Sequence, residues 1–469
     1  MSRISVITCL LLSVLPAGCG RAQKSIVNFS HLAHLTERIS LSGDSVDIIH
    51  VYSNYPDYHW VSAAESGPEG VACVDDAGRA AVVYLRHYEL TGDETSRSRA
   101  IALLRFILAM EAPDGQFYNF VRSDGSINRD GKTSYKSFGW WASRGVWAMG
   151  LGSRVLARHD SGFALLLRQG IERTFPHIDS LLLAYDTYKD TNHVRIPRWL
   201  LYESGADATS ELLIGLTEYY AVTHNPAVRD YVTKLADGLI AMQEGNLTTY
   251  PYGLHRSWQN MWHMWGNGQT QALAKAGRVL QNPRMIQSAE LEAGGFFSRL
   301  LILGFMKEID ATDSSKRVDF EQIAYAVRPV AVGLIRLYEA TNDNRYLAMA
   351  GLAASWLLGD NVLHQPMYDS STGRCYDGIR DPSTLNKNSG AESTIEALGT
   401  LIETEHYPLA RKYLDARKLS SGRTARYIYA LFRNASGDEA TLAIDLAKPE
   451  LLLLEGSKSA GFQEARKHD

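Results

Sequence analysis

The chain has 469 residues, with 48 Lys and Arg against 52 Asp and Glu, and a formal net charge of −4. That balance, without a basic stripe, excludes a protein that wraps nucleic acid. With 45% hydrophobic residues and only 14 Pro, the chain is neither disordered nor fibrous.

The first element is a leader. Arg3 precedes the apolar run Ile4 to Leu15, which has the length of a signal-peptide core and is too short to span a bilayer. Pro16-Ala17-Gly18-Cys19 resembles a bacterial lipobox, with Leu15 one place earlier than the usual pattern. Residues 1–22 are therefore read as a signal peptide. Two processing routes stay open: lipidation at Cys19, or cleavage near Ala22 into a soluble form. Either way the expectation is an exported protein, periplasmic or anchored, whose sole membrane attachment is a lipid at Cys19. Two of the four cysteines, Cys73 and Cys375, lie beyond the leader. One disulfide is allowed there, but two buried thiols are the simpler reading. No His/Cys cluster has zinc spacing, and the reading invokes no metal and no cofactor.

Past the leader the dominant signal is internal repetition. Tyr88-Glu89-Leu90-Thr91-Gly92-Asp93 recurs as Tyr220-Ala221-Val222-Thr223-His224-Asn225 and as Tyr338-Glu339-Ala340-Thr341-Asn342-Asp343. Each copy ends one apolar run of helical spacing and precedes another. Thr, Gly, Asn and Asp are residues that stop one helix and cap the next. Weaker turns fall at Arg158 to Ser161 and at Gln281-Asn282-Pro283. About six helical hairpins follow, with first helices starting near Asp75, Trp140, Asp207, Asn267, Ile323 and Ala391. The spacing is too long for the common solenoid repeats, and no polar capping repeat closes either end. The fold class expected is all-α, an (α/α)6 toroid over 23–420. Residues 421–469, with the β-type runs Arg426 to Leu431 and Ala440 to Ile444, are read as a small hairpin or irregular tail.

Turns within hairpins are short, whereas the segments between them are long and rich in Gly, Asp, Asn, Trp and Tyr. These are Ala112 to Gly139, Phe175 to Ala206, Glu244 to Gly266 and Gly359 to Ser389. If hairpins alternate in direction, all four lie on one face with the inner helix N-termini, where sites are built. Asp75-Asp76 stands at the start of the first inner helix, and Glu392 near the start of the last. Capping accounts for one Asp, and Ser389 with Glu392 reads as a capping box. Ring closure would instead bring Asp75, Asp76 and Glu392 to one cleft. Asp377 in Cys375-Tyr376-Asp377-Gly378 is a further candidate base, with a plain turn as its alternative.

Aromatics crowd the same segments. Trp60, Tyr118, Trp140, Trp141, Trp262 and Tyr376 are candidates for stacking on sugar rings, with Glu203 and His263 as polar contacts. The candidate catalytic set is Asp76 and Glu392, supported by Asp75 and Asp377. An inverting glycosidase needs one carboxyl to protonate the leaving oxygen and a second to activate water. The substrate expected is an oligo- or polysaccharide. Two other readings stand beside the hydrolase. A uronic-sugar lyase or epimerase would lean on His263, Tyr250 or Tyr252, and Arg256. A non-catalytic glycan binder needs only the aromatics.

Val74-Asp75-Asp76, Pro113 to Phe120, and above all Cys375 to Gly378 with Gly390-Ala391-Glu392-Ser393 carry a family resemblance. Over roughly Asp57 to Leu414 the chain resembles the (α/α)6 helical domain found fused to, or encoded near, bacterial group 1 glycosyltransferases and mannoside-processing enzymes. That resemblance implies the superfold shared by inverting glycosidases, unsaturated-uronyl hydrolases, polysaccharide lyases and sugar epimerases. Two departures fall at the expected mouth. Ala77 stands where the family usually has Asn, and Gly139-Trp140-Trp141 replaces an acidic/His segment.

Overall fold

The computed structural model describes residues 24–65, 67–191 and 194–465, so the leader and Cys19 lie outside the described residues. Six helical hairpins follow one another: α1 (Val74–Thr91) with α2 (Glu94–Met110), α3 (Trp140–Val155) with α4 (Ser161–Arg173), α5 (Ala206–Thr223) with α6 (Pro226–Ala241), α7 (Gln269–Leu280) with α8 (Pro283–Glu292), α9 (Val327–Thr341) with α10 (Asn344–Ala354), and α11 (Ala391–His406) with α12 (Pro408–Lys412). The odd-numbered helices pack side by side in sequence, and α11 packs back on α1. The ring is closed, in keeping with the expected toroid. Helix starts match the sequence reading closely. The exception is α9, which begins at Val327 rather than Ile323 because a 3-10 turn, Ala324–Ala326, precedes it.

The repeated turn sequence is one device used three times. Thr91, Thr223 and Thr341 each donate a hydroxyl to the carbonyl four residues back, at 2.6, 3.0 and 2.8 Å. The next residue, Gly92, His224 or Asn342, ends the helix in the left-handed region at φ 74, 51 and 59°. Asp93, Asn225 and Asp343 then cap the outer helix by accepting from the backbone N–H of Ser96, Ala227 and Arg345. Each such cap stabilises its helix by about 1 kcal/mol.

Ion pairs seal the seam between the first and last hairpins. Arg79 of α1 reaches Glu392 and Glu396 of α11 at 3.0 and 3.2 Å, and Arg86 reaches Glu403 at 2.6 Å. These residues recur one and two turns apart, which keeps both ladders on facing sides. Arg336 of α9 also pairs with Glu403, and Arg328 with Glu396. Shared ion pairs thus tie the inner helices together across the interior of the ring, beside apolar side chains such as Val83, Trp147 and Ile395.

Two expectations change. The chain is broader than all-α, because small strand pairs decorate the inter-hairpin segments and Thr36–Leu41 pairs with Asp44–Ile49 ahead of the ring. The tail is also larger than a hairpin and begins before residue 421. Arg417–Arg423, Tyr427–Arg433, Glu439–Asp445 and Glu450–Glu455 form a four-stranded antiparallel meander, followed by a helix, Ser457–Ala465. It packs on Ser298–Leu303, behind the eighth helix, burying Ala430, Phe432, Leu442 and Ile444. Cys73 and Cys375 are both buried free thiols. No helix among the described residues is long and apolar enough to cross a membrane.

Candidate active site

A cavity of about 680 Å³ opens where the inner helices begin. The segments before α3, α5 and α7 all reach it: Tyr135, Tyr202, Trp258 and Trp265 stand around it, and Trp140 and Trp141 open α3. Its floor is Tyr325, whose ring lies under the Arg79, Arg144 and Arg328 guanidinium groups at 5.1, 5.4 and 5.8 Å from the centroid. The Tyr325 hydroxyl accepts from Arg144 at 2.6 Å and donates to Glu211 at 3.2 Å. Burial raises its pKa far above the phenol range, so it stays protonated.

Three carboxylates line the cavity: Asp75, Asp207 and Glu392. Asp75 is the second residue of α1, and the N-cap Cys73 makes no side-chain capping bond. Asp75 Oδ1 is buried, lies 3.8 Å from Arg144 Nε, and has no hydrogen-bond partner among the described residues. Burial pushes its pKa up, with Arg144 and Arg79 pulling the other way. Glu392 is more open and more closely paired: its side chain is 45% exposed against 26% for Asp75, and it meets Arg79 at 3.0 Å. Asp207 accepts from the Ala208 N–H at 2.7 Å and faces His263 Nε2 at 3.2 Å. Burial raises Asp207 and the imidazole opposes that rise. His263 is stacked on Trp265 at 4.3 Å between centroids.

Beside this cavity lies a recess of about 340 Å³ that shares Asp75, Arg79, Tyr325 and Glu392 with it. Asp76 and Asp377 belong to the recess alone. Asp76 accepts from Arg79 at 2.6 Å and from the Cys73 thiol at 3.4 Å, and burial lifts its pKa to about 6. Asp377 accepts from the Gly390 N–H at 2.9 Å and the Ser393 hydroxyl at 2.6 Å, tying down the start of α11. The capping-box reading of Glu392 gives way, because α11 is capped at Gly390 and Glu392 turns to Arg79.

Of the other sequence candidates, Trp140, Trp141 and His263 line the cavity and the rest do not. Trp262 is fully buried, packed edge-on against Phe296. It is the middle residue of the strand Met261–His263, so it points opposite to His263. Trp60 stacks on His50 at 3.7 Å, and Tyr118 packs beneath Arg129. Tyr376 packs against the core. Glu203 braces its own turn through Lys189 and Arg198. The lyase set also disperses. Arg256 gives its guanidinium to the carbonyls of Met242, Gln259 and Arg195, Tyr250 bonds the Asp310 carbonyl, and Tyr252 packs on Arg299.

Arg79, Arg144, Tyr325, Tyr135 and Tyr202 escaped the sequence reading. One signal for Tyr202 lay in the Gly139 departure. A side chain at Gly139 would meet the Tyr202 hydroxyl at 1.9 Å, and that hydroxyl accepts from the Trp140 N–H at 2.9 Å. Gly139 makes room for the group that satisfies the first N–H of α3.

The fold is a six-hairpin glycosidase-like (α/α)6 toroid. It is similar to a cellobiose 2-epimerase from Bacillus thermoamylovorans, at 13% identity and a TM-score of 0.55, over 80% of this chain and 95% of that one. It is similar as well to a cellobiose 2-epimerase from Spirochaeta thermophila (12%, TM-score 0.53, 80% and 93%) and to a D-mannose isomerase (11%, TM-score 0.51, 76% and 90%). No protein-family model matches the chain, and no curated protein matches its sequence.

Proposed function

We propose that the protein is a carbohydrate-active enzyme that works by acid–base catalysis in this cavity, and that its reaction is hydrolysis of a glycosidic bond. One observation carries the reading: two carboxylates line one aromatic-walled cavity in unequal environments. The Asp75 side chain is about three-quarters buried, its Oδ1 has no hydrogen-bond partner among the described residues, and its pKa is raised, which suits a proton donor. Glu392 is half-exposed and ion-paired, which suits a base holding water. Environments that separate two carboxyls in this way are how acid and base roles are assigned. In this scheme the Asp75 carboxyl gives its proton to the glycosidic oxygen as the C–O bond breaks. Glu392 takes a proton from the water that attacks the anomeric carbon. Asp75 thereby replaces Asp76, whose oxygens are occupied by Arg79 and Cys73. On the leader read from the sequence, the saccharide is met outside the cytoplasm.

A second reading is favoured by the His263–Asp207 pair together with the fold shared with sugar epimerases and an isomerase. There His263 would move a proton at the carbon next to a sugar carbonyl. Incubating a glycan panel in heavy water separates the two. Hydrolysis releases new reducing ends without deuterium on ring carbon. Epimerisation or isomerisation leaves chain length unchanged and places deuterium at the carbon next to the carbonyl.

A further inference from the structure

We infer that the mouth of the cavity is a saccharide-binding zone of its own: Tyr135, Tyr202 and Trp258 are stacking platforms for sugar units beyond the one seated over Tyr325, so the substrate is an oligomer. The inference rests on the carbohydrate reading above and specifies its substrate class. These three side chains are 50%, 50% and 45% exposed, yet all line the cavity, and each comes from a different inter-hairpin segment. Three aromatic faces left in water around one opening form a contact surface in search of a cover. That surface is continuous with the cavity. Trp140, Trp141 and Trp265 wall the interior, and the cavity passes over Glu392 into the second recess.

The backbone is held unusually to present these rings. Tyr202 and Glu203 both lie in the left-handed region at φ 55°, as does Gln259 beside Trp258 at φ 50°. Non-glycine residues there are strained, and such strain persists only where surrounding contacts fix it. Lys189 and Arg198 hold Glu203, and Trp140 N–H holds the Tyr202 hydroxyl. A single sugar ring would be served by the interior walls alone. A chain of sugars presents alternating C–H faces to the mouth.

The test is titration calorimetry with gluco- and manno-oligosaccharides from monosaccharide to hexasaccharide. It uses the Asp75→Asn protein, so that turnover does not consume the probe. Affinity is expected to climb by about tenfold or more between disaccharide and hexasaccharide. Adding Tyr135→Ala and Trp258→Ala should bring the hexasaccharide-to-disaccharide affinity ratio close to one, with melting temperature held. Affinity that is flat with chain length, or a climb that survives the double substitution, overturns the inference. The outcomes also separate the two claims. A length-dependent climb without turnover by the wild-type enzyme leaves the platforms standing and removes the enzyme. Turnover without length dependence does the reverse, and no binding at any length sinks both.

Discussion

Replacing Arg79 with methionine keeps most of the side-chain volume and removes the guanidinium that Asp76, Glu392 and Glu396 share. Two of the three carboxylates have other recourse. Glu396 still pairs with Arg328, and Glu392 is exposed enough to be hydrated. Asp76 has neither: it is 5% exposed and keeps only the Cys73 thiol. Breaking a buried pair from one side costs about 3–5 kcal/mol. Part of that cost depends on pH, with a definite sign. In the wild type, burial lifts Asp76 from 3.8 to about 6, so the folded state binds the proton more tightly than the unfolded chain. Stability is therefore lost as pH rises from about 4 to 6, by about 3 kcal/mol for this shift. Without Arg79 the folded pKa rises further, and the loss continues above pH 6 at about 1.4 kcal/mol per pH unit. Urea melts of both proteins at pH 5.5 and pH 8 should show the Arg79→Met deficit growing toward pH 8. Adding Asp76→Asn should flatten that dependence. A deficit equal at both pH values, or larger in acid, would refute the reasoning.

Gly139→Ala should force the Tyr202 ring away from the N-terminus of α3. It should cost about 1–3 kcal/mol by thermal melting and weaken oligosaccharide binding, whereas ordinary surface substitutions leave both intact. Asp377→Ala removes the group that ties down the Gly390 N–H and should lower stability by about 0.5–2 kcal/mol. Its rate should fall far less than that of the cavity carboxylates, which steady-state kinetics will show. If Asp75 is the proton donor, kcat/KM should decline on the alkaline side with a pKa above the ordinary carboxyl range, since burial raises that group. A pH–rate profile whose alkaline limb starts within the ordinary carboxyl range would speak against the assignment.

The hairpins were legible because the chain reuses one turn. Thr91-Gly92-Asp93, Thr223-His224-Asn225 and Thr341-Asn342-Asp343 each combine a left-handed stop with an N-cap, and both requirements are written in residue type. Ring closure was suggested by the lack of a polar capping repeat at either end, with an open solenoid as the alternative. The tail was underestimated because strand Arg417–Arg423 is mostly polar and exposed, so its apolar alternation is faint. Within the site, the carboxylates and Trp140-Trp141 stood out at helix starts. Arg79 and Arg144 did not, since a helical arginine looks solvated until neighbouring helices bury it. Trp262 was misassigned for want of its strand: a period of two sends Met261 and His263 one way and Trp262 the other. Tyr202 and Glu203 sit in a strained turn that no local pattern announces.

The central claim is that Asp75 and Glu392 divide the acid and base work on a glycosidic bond. Reducing-end release from a glycan panel, measured for the wild type, Asp75→Asn and Glu392→Gln beside their melting curves, tests it most directly. The account predicts that both variants fold and that each loses about 100-fold or more in rate, because an amide keeps the shape but moves no proton. Variants that hydrolyse at near wild-type rates would contradict it. So would a wild-type enzyme that releases no reducing ends and instead yields an epimer or ketose, lost on His263→Ala.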